Sequence, residues 1–376
     1  MINMFNVNMP STVDRYLSEV LHSGYIAQGP KVGEFELMLS IFTGSDKVVT
    51  LNSGTSALTL ALYLAGVGPG DEVISTAMTC TATNLPIITA GAKIKFADIQ
   101  LPNGNIDPES IEKLITRKTK AIMFVDWGGV PADARKIASI AKKHKLKVIQ
   151  DSAHAFGAEY MGKHVGHYAD FTCFSFQAIK HLTTGDGGML ICKRYKDYDR
   201  ARLLRWFGIE RENGGKDSRI DQDITEAGFK MHMNDISATI GIESLGQINK
   251  ILARHRRIAE YYLEELSPYF ILPSINTKKM HPSWWLFTVL LNDRDQRDKF
   301  IEYMHSKNIM VSRVHRRNDE YTVFKKFARD DLFNLNEFSD RMICLPIHAN
   351  MSDADAEEVV ARANGFFKQG EKRGQI

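Results

Sequence analysis

Short apolar runs rich in β-branched and aromatic residues alternate with stretches of helical period along most of the chain. Lys47–Leu51, Glu72–Thr76, Lys93–Ile99, Ala121–Trp127, Lys145–Gln150, Asp170–Phe176 and Gly188–Cys192 read as strands. Ser56–Ala65, Pro108–Ile115 and Ala134–His144 are amphipathic and long enough to cross over a parallel sheet. The pattern predicts an α/β fold whose mostly parallel central sheet is sandwiched by helices, with ligands gathering at the carboxyl ends of the strands. Past about Ile251 the texture changes. Leu252–Leu266 reads as a long charged helix, Trp284–Leu291 and Ile309–Ser312 as strands, and helix and strand alternate to the end. This predicts a large domain over residues 1–250 and a small α+β domain over 251–376. Trp206–Ala227 is polar, contains Gly214-Gly215 and has no hydrophobic period, so it is expected to be a long surface loop.

A length of 376 residues suits this division into one large domain and a smaller companion. With 48 Lys and Arg against 45 Asp and Glu, the net charge of +3 provides no overall field to recruit nucleic acid or an anionic membrane. Cys80, Cys173, Cys192 and Cys344 are scattered, without metal-finger or redox spacing, and three lie in apolar runs. A reducing compartment without disulfides and no metal site are the expectation. Met1–Tyr16 lacks a basic stretch followed by an apolar one, and no window reaches membrane-spanning length, so a cytoplasmic location is expected.

Three segments carry the chemistry. In Phe174–Gly188, Lys180 follows an apolar strand and precedes Thr-Thr-Gly-Asp-Gly-Gly, a setting unlike that of an ordinary solvated lysine. Upstream, a strand runs into Ser53-Gly54-Thr55-Ser56 at the start of a helix. Free amides and the positive dipole end suit a phosphate there, Gly54 permits close approach, and the Thr55 and Ser56 hydroxyls can donate. Taken alone, this segment reads sooner as an ordinary N-cap serine than as a phosphate site. Between the two, a strand delivers Asp151 of Asp151-Ser152-Ala153-His154-Ala155, whose carboxylate can face a basic ring nitrogen and raise its pKa by about 1 to 3 units. Ala153 leaves room for a ring face, and His154 can reach a ring hydroxyl. Alone, Asp151 reads equally as a turn cap beside a core histidine. Lys180 can condense with an aldehyde and then shuttle a proton, which needs an amine of depressed pKa. Ser175 adds a hydroxyl toward the phosphate. The three segments together read as a pyridoxal 5′-phosphate site.

Arg313-Val314-His315-Arg316-Arg317-Asn318-Asp319 follows a predicted strand, and Arg313 and His315 are candidate contacts for a sugar or diphosphate, with a solvated basic turn as the alternative. Arg254-His255-Arg256-Arg257 reads as the exposed face of a charged helix and is given no role.

Further short segments, Ser23–Pro30, Ala65–Val73, Pro131-Ala132-Asp133, Gly228–Asp235 and Leu345–His348, fall in order with the three above, and nearly the whole chain resembles the DegT/DnrJ/EryC1/StrS sugar aminotransferases of the fold type I pyridoxal phosphate enzymes. The resemblance implies Lys180 as the lysine that carries the cofactor, Asp151 under its ring nitrogen, Gly54, Thr55 and Ser175 at its phosphate, and His154 near its ring oxygen. It implies a substrate-side loop holding Tyr25 and Gly29, and homodimers with sites at the interface. In the family an asparagine of the partner reaches the phosphate from the Gly228–Asp235 stretch, where this chain has Lys230, and an aromatic ring stacks on the cofactor where this chain has Cys80. Relatives that dehydrate ketosugars carry histidine in place of Lys180, so transamination is favoured. Expected substrates are an amino donor, L-glutamate, and a keto sugar, foremost a nucleotide-linked 4-keto-6-deoxy sugar, for deoxyamino sugars of a cell-surface polysaccharide such as O-antigen. A sugar dehydratase or other fold type I reaction, and a cofactor-bearing sensor or scaffold, are the alternatives.

Overall fold

The computed structural model describes residues 1–211, 220 and 222–373, with side chains to residue 368. Seven strands form the central sheet: β1 (Val48–Leu51), β2 (Glu72–Thr76), β3 (Lys93–Ala97), β4 (Thr119–Val125), β5 (Lys147–Asp151), β6 (Phe171–Ser175) and β7 (Gly188–Cys192). Their order is β1-β7-β6-β5-β4-β2-β3. Every pair is parallel except those made by β7, which runs against both β1 and β6. β1, β2 and β7 are buried at every position without alternation, as strands covered by helices on both faces require. Because only β7 is reversed, Ser53, Thr76, Asp126, Asp151 and Ser175 all leave the sheet at one edge.

The strands sit where the apolar runs predicted them, with ends set by local chemistry. β4 stops at Val125 rather than Trp127 because Asp126 turns to accept from the Ala132 N–H at 2.9 Å, and a single 3₁₀ turn follows with Gly128 at φ 62° and Gly129 at φ 90°. A small second sheet pairs β8 (Phe287–Leu290) antiparallel with β9 (Met342–Leu345). The strand expected from Trp284 begins only at Phe287, since Trp284 has φ 57°, a left-handed conformation no strand accommodates. Ile309–Ser312 makes only isolated bridges, to Ile2 and Cys344. Of the loop expected over Trp206–Ala227, residues 212–219 and 221, including Gly214-Gly215, lie outside the described residues, and the rest forms no helix or strand.

Two elements tie the molecule together. The Asp235 carboxylate accepts from Gly29 N–H at 2.7 Å and from Lys31 and Val32 N–H at 3.2 Å, capping the helix Pro30–Thr43. The helix Ile248–Glu265 serves two cores: Ile248 and Leu252 pack under the large sheet, whereas Ile258, Ala259 and Tyr262 pack with Phe287, Phe300 and Val359 of the smaller lobe. This sharing corrects the expected exposed face at Arg254–Arg257. His255 is buried with Nδ1 2.9 Å from the Ile251 carbonyl oxygen, Arg254 donates to Met351 O at 2.9 Å, and Arg256 donates to Gly157 O at 2.8 Å and Pro282 O at 3.1 Å. Only Arg257 of the four is well exposed, and it pairs with Asp353. Among the described residues no helix is long and apolar enough to cross a membrane, and all four cysteines are free.

Candidate active site

Lys180 lies in the connection between the antiparallel neighbours β6 and β7, which is closed at its base by Phe176 N–H to Gly187 O at 2.8 Å and Thr184 N–H to Phe176 O at 2.9 Å. The lysine amide donates to Gln177 O at 2.9 Å, fixing the turn that aims the side chain back over the strand ends. Desolvation lowers the Lys180 pKa to about 7, against the raising pull of Asp151 and Cys80. The amine is therefore close to half neutral at pH 7.

Asp151 ends β5 and is buried. Its Oδ2 accepts from Thr83 Oγ1–H at 2.7 Å and its Oδ1 from Ala153 N–H at 3.1 Å. Burial pushes its pKa up, while the Thr83 and Ala153 hydrogen bonds and the charge of Lys180 pull it down. Thr83 is itself held by Thr79, hydroxyl to hydroxyl at 2.6 Å. Since Thr83 donates to Asp151, Thr79 must donate to Thr83. The next residue, Asn84, donates to Asn318 Oδ1 at 2.8 Å, and Asn318 donates to Thr79 O at 2.7 Å, so the smaller lobe braces the turn that presents Thr83. Thr83 did not figure in the sequence reading, and Asn318 figured only as a member of the basic segment after Ile309–Ser312. A threonine pair spaced four apart at the start of a helix was the available signal.

His154 is buried, with its pKa held well below the ordinary value by desolvation first and by Lys180, His315 and His181 after it. It is neutral, and its Nδ1 accepts from Gly128 N–H at 3.4 Å, which leaves the proton on Nε2 as a donor. Its ring stacks on Trp285 with centroids 4.0 Å apart and lies 5.6 Å from the ring of His315. Burial lowers the His315 pKa to about 4, and His315 Nε2 is buried without a hydrogen-bond partner. Within the basic segment, Arg316 is engaged by Glu320, and Arg317 by Asp319 and Asn336. Arg313 and His315 are left as its available donors.

At the other end, Ser53 caps the helix Gly54–Leu64 by accepting from Ser56 N–H at 3.0 Å. The Gly54 and Thr55 amides, first in the helix, have no helical acceptor. A side chain at Gly54 would place its Cβ 2.9 Å from Ser175 Cβ, so glycine is needed for the helix start to lie against Ser175. The Ser56 hydroxyl is not available to a phosphate as expected: it donates to Asn52 at 2.6 Å. A buried carboxylate with two donors, a desolvated amine near its charge, and a glycine-tight helix start beside a serine fit pyridoxal phosphate at its two poles.

Tyr25, Gly29 and Lys230 are not brought to Lys180 within one chain. Gly29 is tied to Asp235, Tyr25 is exposed, and Lys230 is exposed with its Nζ 3.6 Å from the Trp206 ring centroid. Arg211 lies over the same indole at 4.6 Å and donates to Gln28, so the substrate-side loop and Lys230 join a second, basic and aromatic cluster. Cys80 is half-buried at the N-cap of the helix Thr81–Thr89, and a thiol offers no ring face to stack.

Fold and site together are those of a fold type I enzyme. The model of the DegT/DnrJ/EryC1/StrS aminotransferase family matches residues 9–364, and the chain belongs to that family of pyridoxal 5′-phosphate-dependent enzymes. It is 32% identical to the spore coat polysaccharide biosynthesis protein SpsC of Bacillus subtilis over 94% of this chain and 93% of SpsC. The crystal structure of the sugar aminotransferase CalS13 from Micromonospora echinospora superposes with a TM-score of 0.92 at 32% identity, covering 97% of this chain and 100% of that one. The PLP-form of a putative sugar aminotransferase, Spr1654 from Streptococcus pneumoniae, gives 0.91 at 28% identity, covering 98% and 99%.

Replacing Thr83 by valine removes the strongest support of the Asp151 anion and drives its pKa further up. The half-reaction with the amino donor is expected to slow about tenfold and its acid limb to move to higher pH, because a hydrogen bond to a charged group contributes about 1.5–3 kcal/mol. Thr83→Ser should restore both. A Thr83→Val rate equal to wild type, read by stopped-flow absorbance, would remove Thr83 from the machinery.

Proposed function

We propose that the protein moves an amino group from L-glutamate to the ketone of a nucleotide-linked 4-keto-6-deoxy sugar, in the synthesis of a deoxyamino sugar for a cell-surface polysaccharide. The observation that carries this reading is the meeting of Lys180 and Asp151 at one edge of the sheet: an amine with pKa about 7 near the charge of a carboxylate buried beneath it. Pyridoxal phosphate bound between them supplies the electron sink that allows a C–H bond beside the amino group to break heterolytically. Asp151 keeps a negative charge at the pole where the ring nitrogen lies, held in place by Thr83 and Ala153. The Gly54 and Thr55 amides and the Ser175 hydroxyl bind the phosphate, Ala153 leaves room at the ring face, and His154 offers its Nε2–H to the ring oxygen. Lys180, increasingly neutral as the pH rises above 7, accepts the proton released from the donor carbon and returns it in the second half-reaction. Arg313 and His315 face the sugar substrate. Glutamate leaves as 2-oxoglutarate before the sugar enters, so the kinetics are ping-pong.

A panel of keto-sugar nucleotides incubated with glutamate tests the reading. Amino sugar and 2-oxoglutarate in equal amounts, by mass spectrometry, are expected. Product without nitrogen would point to dehydration instead, and a visible band that glutamate fails to bleach would point to a scaffold.

The reading includes a homodimer working in the cytoplasm, in keeping with the four free cysteines. Exposed Leu21, Tyr25, Ile26, Leu37 and Ile41 give the N-terminal region an apolar face suited to a second copy. Across that interface the Tyr25–Gly29 loop approaches the partner's substrate and Lys230 serves the partner's phosphate as a point charge. Mixing inactive Lys180→Ala chains with weakened Lys230→Ala chains is expected to regenerate some intact sites. Absence of any rescue in the mixed dimer would put Lys230 in its own chain's site or in none.

A further inference from the structure

Trp285 belongs to the smaller lobe, in the turn before β8, and is 2% exposed. Its indole N–H donates to the carbonyl of Ile179 at 3.0 Å, so the ring is pinned to the backbone immediately before Lys180. The Nζ of Lys180 itself stands 3.4 Å from the centroid of that ring. One side chain thus fixes both the root and the tip of the lysine. The indole is held flat by its neighbours: Phe5 stacks on it at 5.1 Å with 20° between planes, and His154 at 4.0 Å with 23°. Turning the preceding residue into the left-handed region, Trp284 at φ 57°, is part of what sets this orientation, and Ser283 is anchored to His181, which follows Lys180, by a 2.9 Å contact from its carbonyl oxygen to Nε2. Among the described residues Lys180 Nζ has no hydrogen-bond or ion-pair partner, so an aromatic face is what receives its charge.

We propose that the face of Trp285 is the resting seat of the Lys180 ammonium whenever the lysine is not joined to the cofactor, which makes Trp285 a positioning residue for the proton that Lys180 carries. The inference rests on Lys180 being the cofactor lysine, since only then does the amine alternate between a joined and a free state. A free, protonated lysine in a desolvated site needs a partner that stabilises the cation without taking its proton. A carboxylate at contact distance would hold the ammonium too firmly for it to give the proton up near neutrality, whereas an indole quadrupole attracts the cation and has no basic atom to accept the proton. The other groups that act on this charge are Asp151 at the end of β5 and Cys80, which favour it, and His154, His181 and His315, each neutral at pH 7.

The test uses the full chain freed of cofactor, where no reaction is needed. Lys180 is labelled briefly with an amine-reactive reagent across a pH series, and the Lys180 peptide is quantified by mass spectrometry. Removing the aromatic seat destabilises the cation, so in Trp285→Leu the midpoint is expected to fall by about half to one and a half pH units, and in Trp285→Phe by less. A midpoint in Trp285→Leu that stays at the wild-type value or rises would overturn the proposal. Should the leucine variant fail to fold, mono-, di- and trifluorotryptophan placed at position 285 keep the shape while draining the ring face of charge. A midpoint that falls with each fluorine supports the seat, and a flat series overturns it. The cofactor reading stands or falls separately, on whether pyridoxal phosphate and borohydride label the Lys180 peptide in the wild-type chain.

Discussion

Lys180→Ala is expected to abolish turnover, by roughly 10⁴-fold or more, because the proposed function makes this one side chain both the attachment point and the proton carrier, and general acid–base work alone contributes about 10² to 10⁴. The substitution leaves the sheet untouched. Phe176 and Gly187 still close the base of the connection, and the Lys180 amide can still donate to Gln177 O. The variant should therefore fold, and it should still take up pyridoxamine 5′-phosphate, since the Gly54 and Thr55 amides, Ser175 and Asp151 are all intact. Circular dichroism, equilibrium dialysis with the amine form of the cofactor, and a coupled assay for 2-oxoglutarate separate these statements. Turnover within tenfold of wild type would mean that another amine does the work.

Asp151→Asn should bind cofactor with an affinity near that of wild type yet slow proton abstraction by about 10² to 10³, the range for losing one electrostatic contact to the reacting system. A neutral amide keeps the size of the carboxylate but offers a single oxygen where Thr83 and Ala153 each donate to their own, and it cannot hold a proton on the ring nitrogen. The sign of the pH effect follows. In wild type, burial raises the Asp151 pKa, so acid protonates the carboxyl and activity falls on the acid side. The asparagine variant has no such group and its acid limb should flatten. An unchanged single-turnover rate, or an acid limb identical to wild type, would assign the role elsewhere.

Much of this arrangement was legible in the chain because its cues are local. Strands of a helix-covered sheet are short runs rich in apolar and β-branched residues, so most of β1 to β7 announce themselves, and residues at strand ends, Asp151, Ser175 and the Ser53-Gly54-Thr55 turn, can be read from where each run stops. What escaped depends on contacts distant in sequence. Thr83 meets Asp151 across 68 positions and Asn84 meets Asn318 across 234, and no local spacing marks either pair. Trp285 was hidden inside an apolar run that reads as a strand until the left-handed Trp284 breaks it. Ser56 illustrates the opposite error: its position at a helix start suited a phosphate donor, but its hydroxyl is consumed by Asn52 one turn back. The face at Arg254–Arg257 was misjudged because cationic side chains with long apolar stems can pack between lobes while their heads find carbonyls, as Arg256 does.

The helix Ile248–Glu265 buries one end in each core. Neither lobe is consequently a detachable module. A graft that exchanged the smaller lobe with a relative's would have to bring along, or match, both ends of that shared rod, so changes at the loops of the sheet edge disturb the packing less than an exchange of halves.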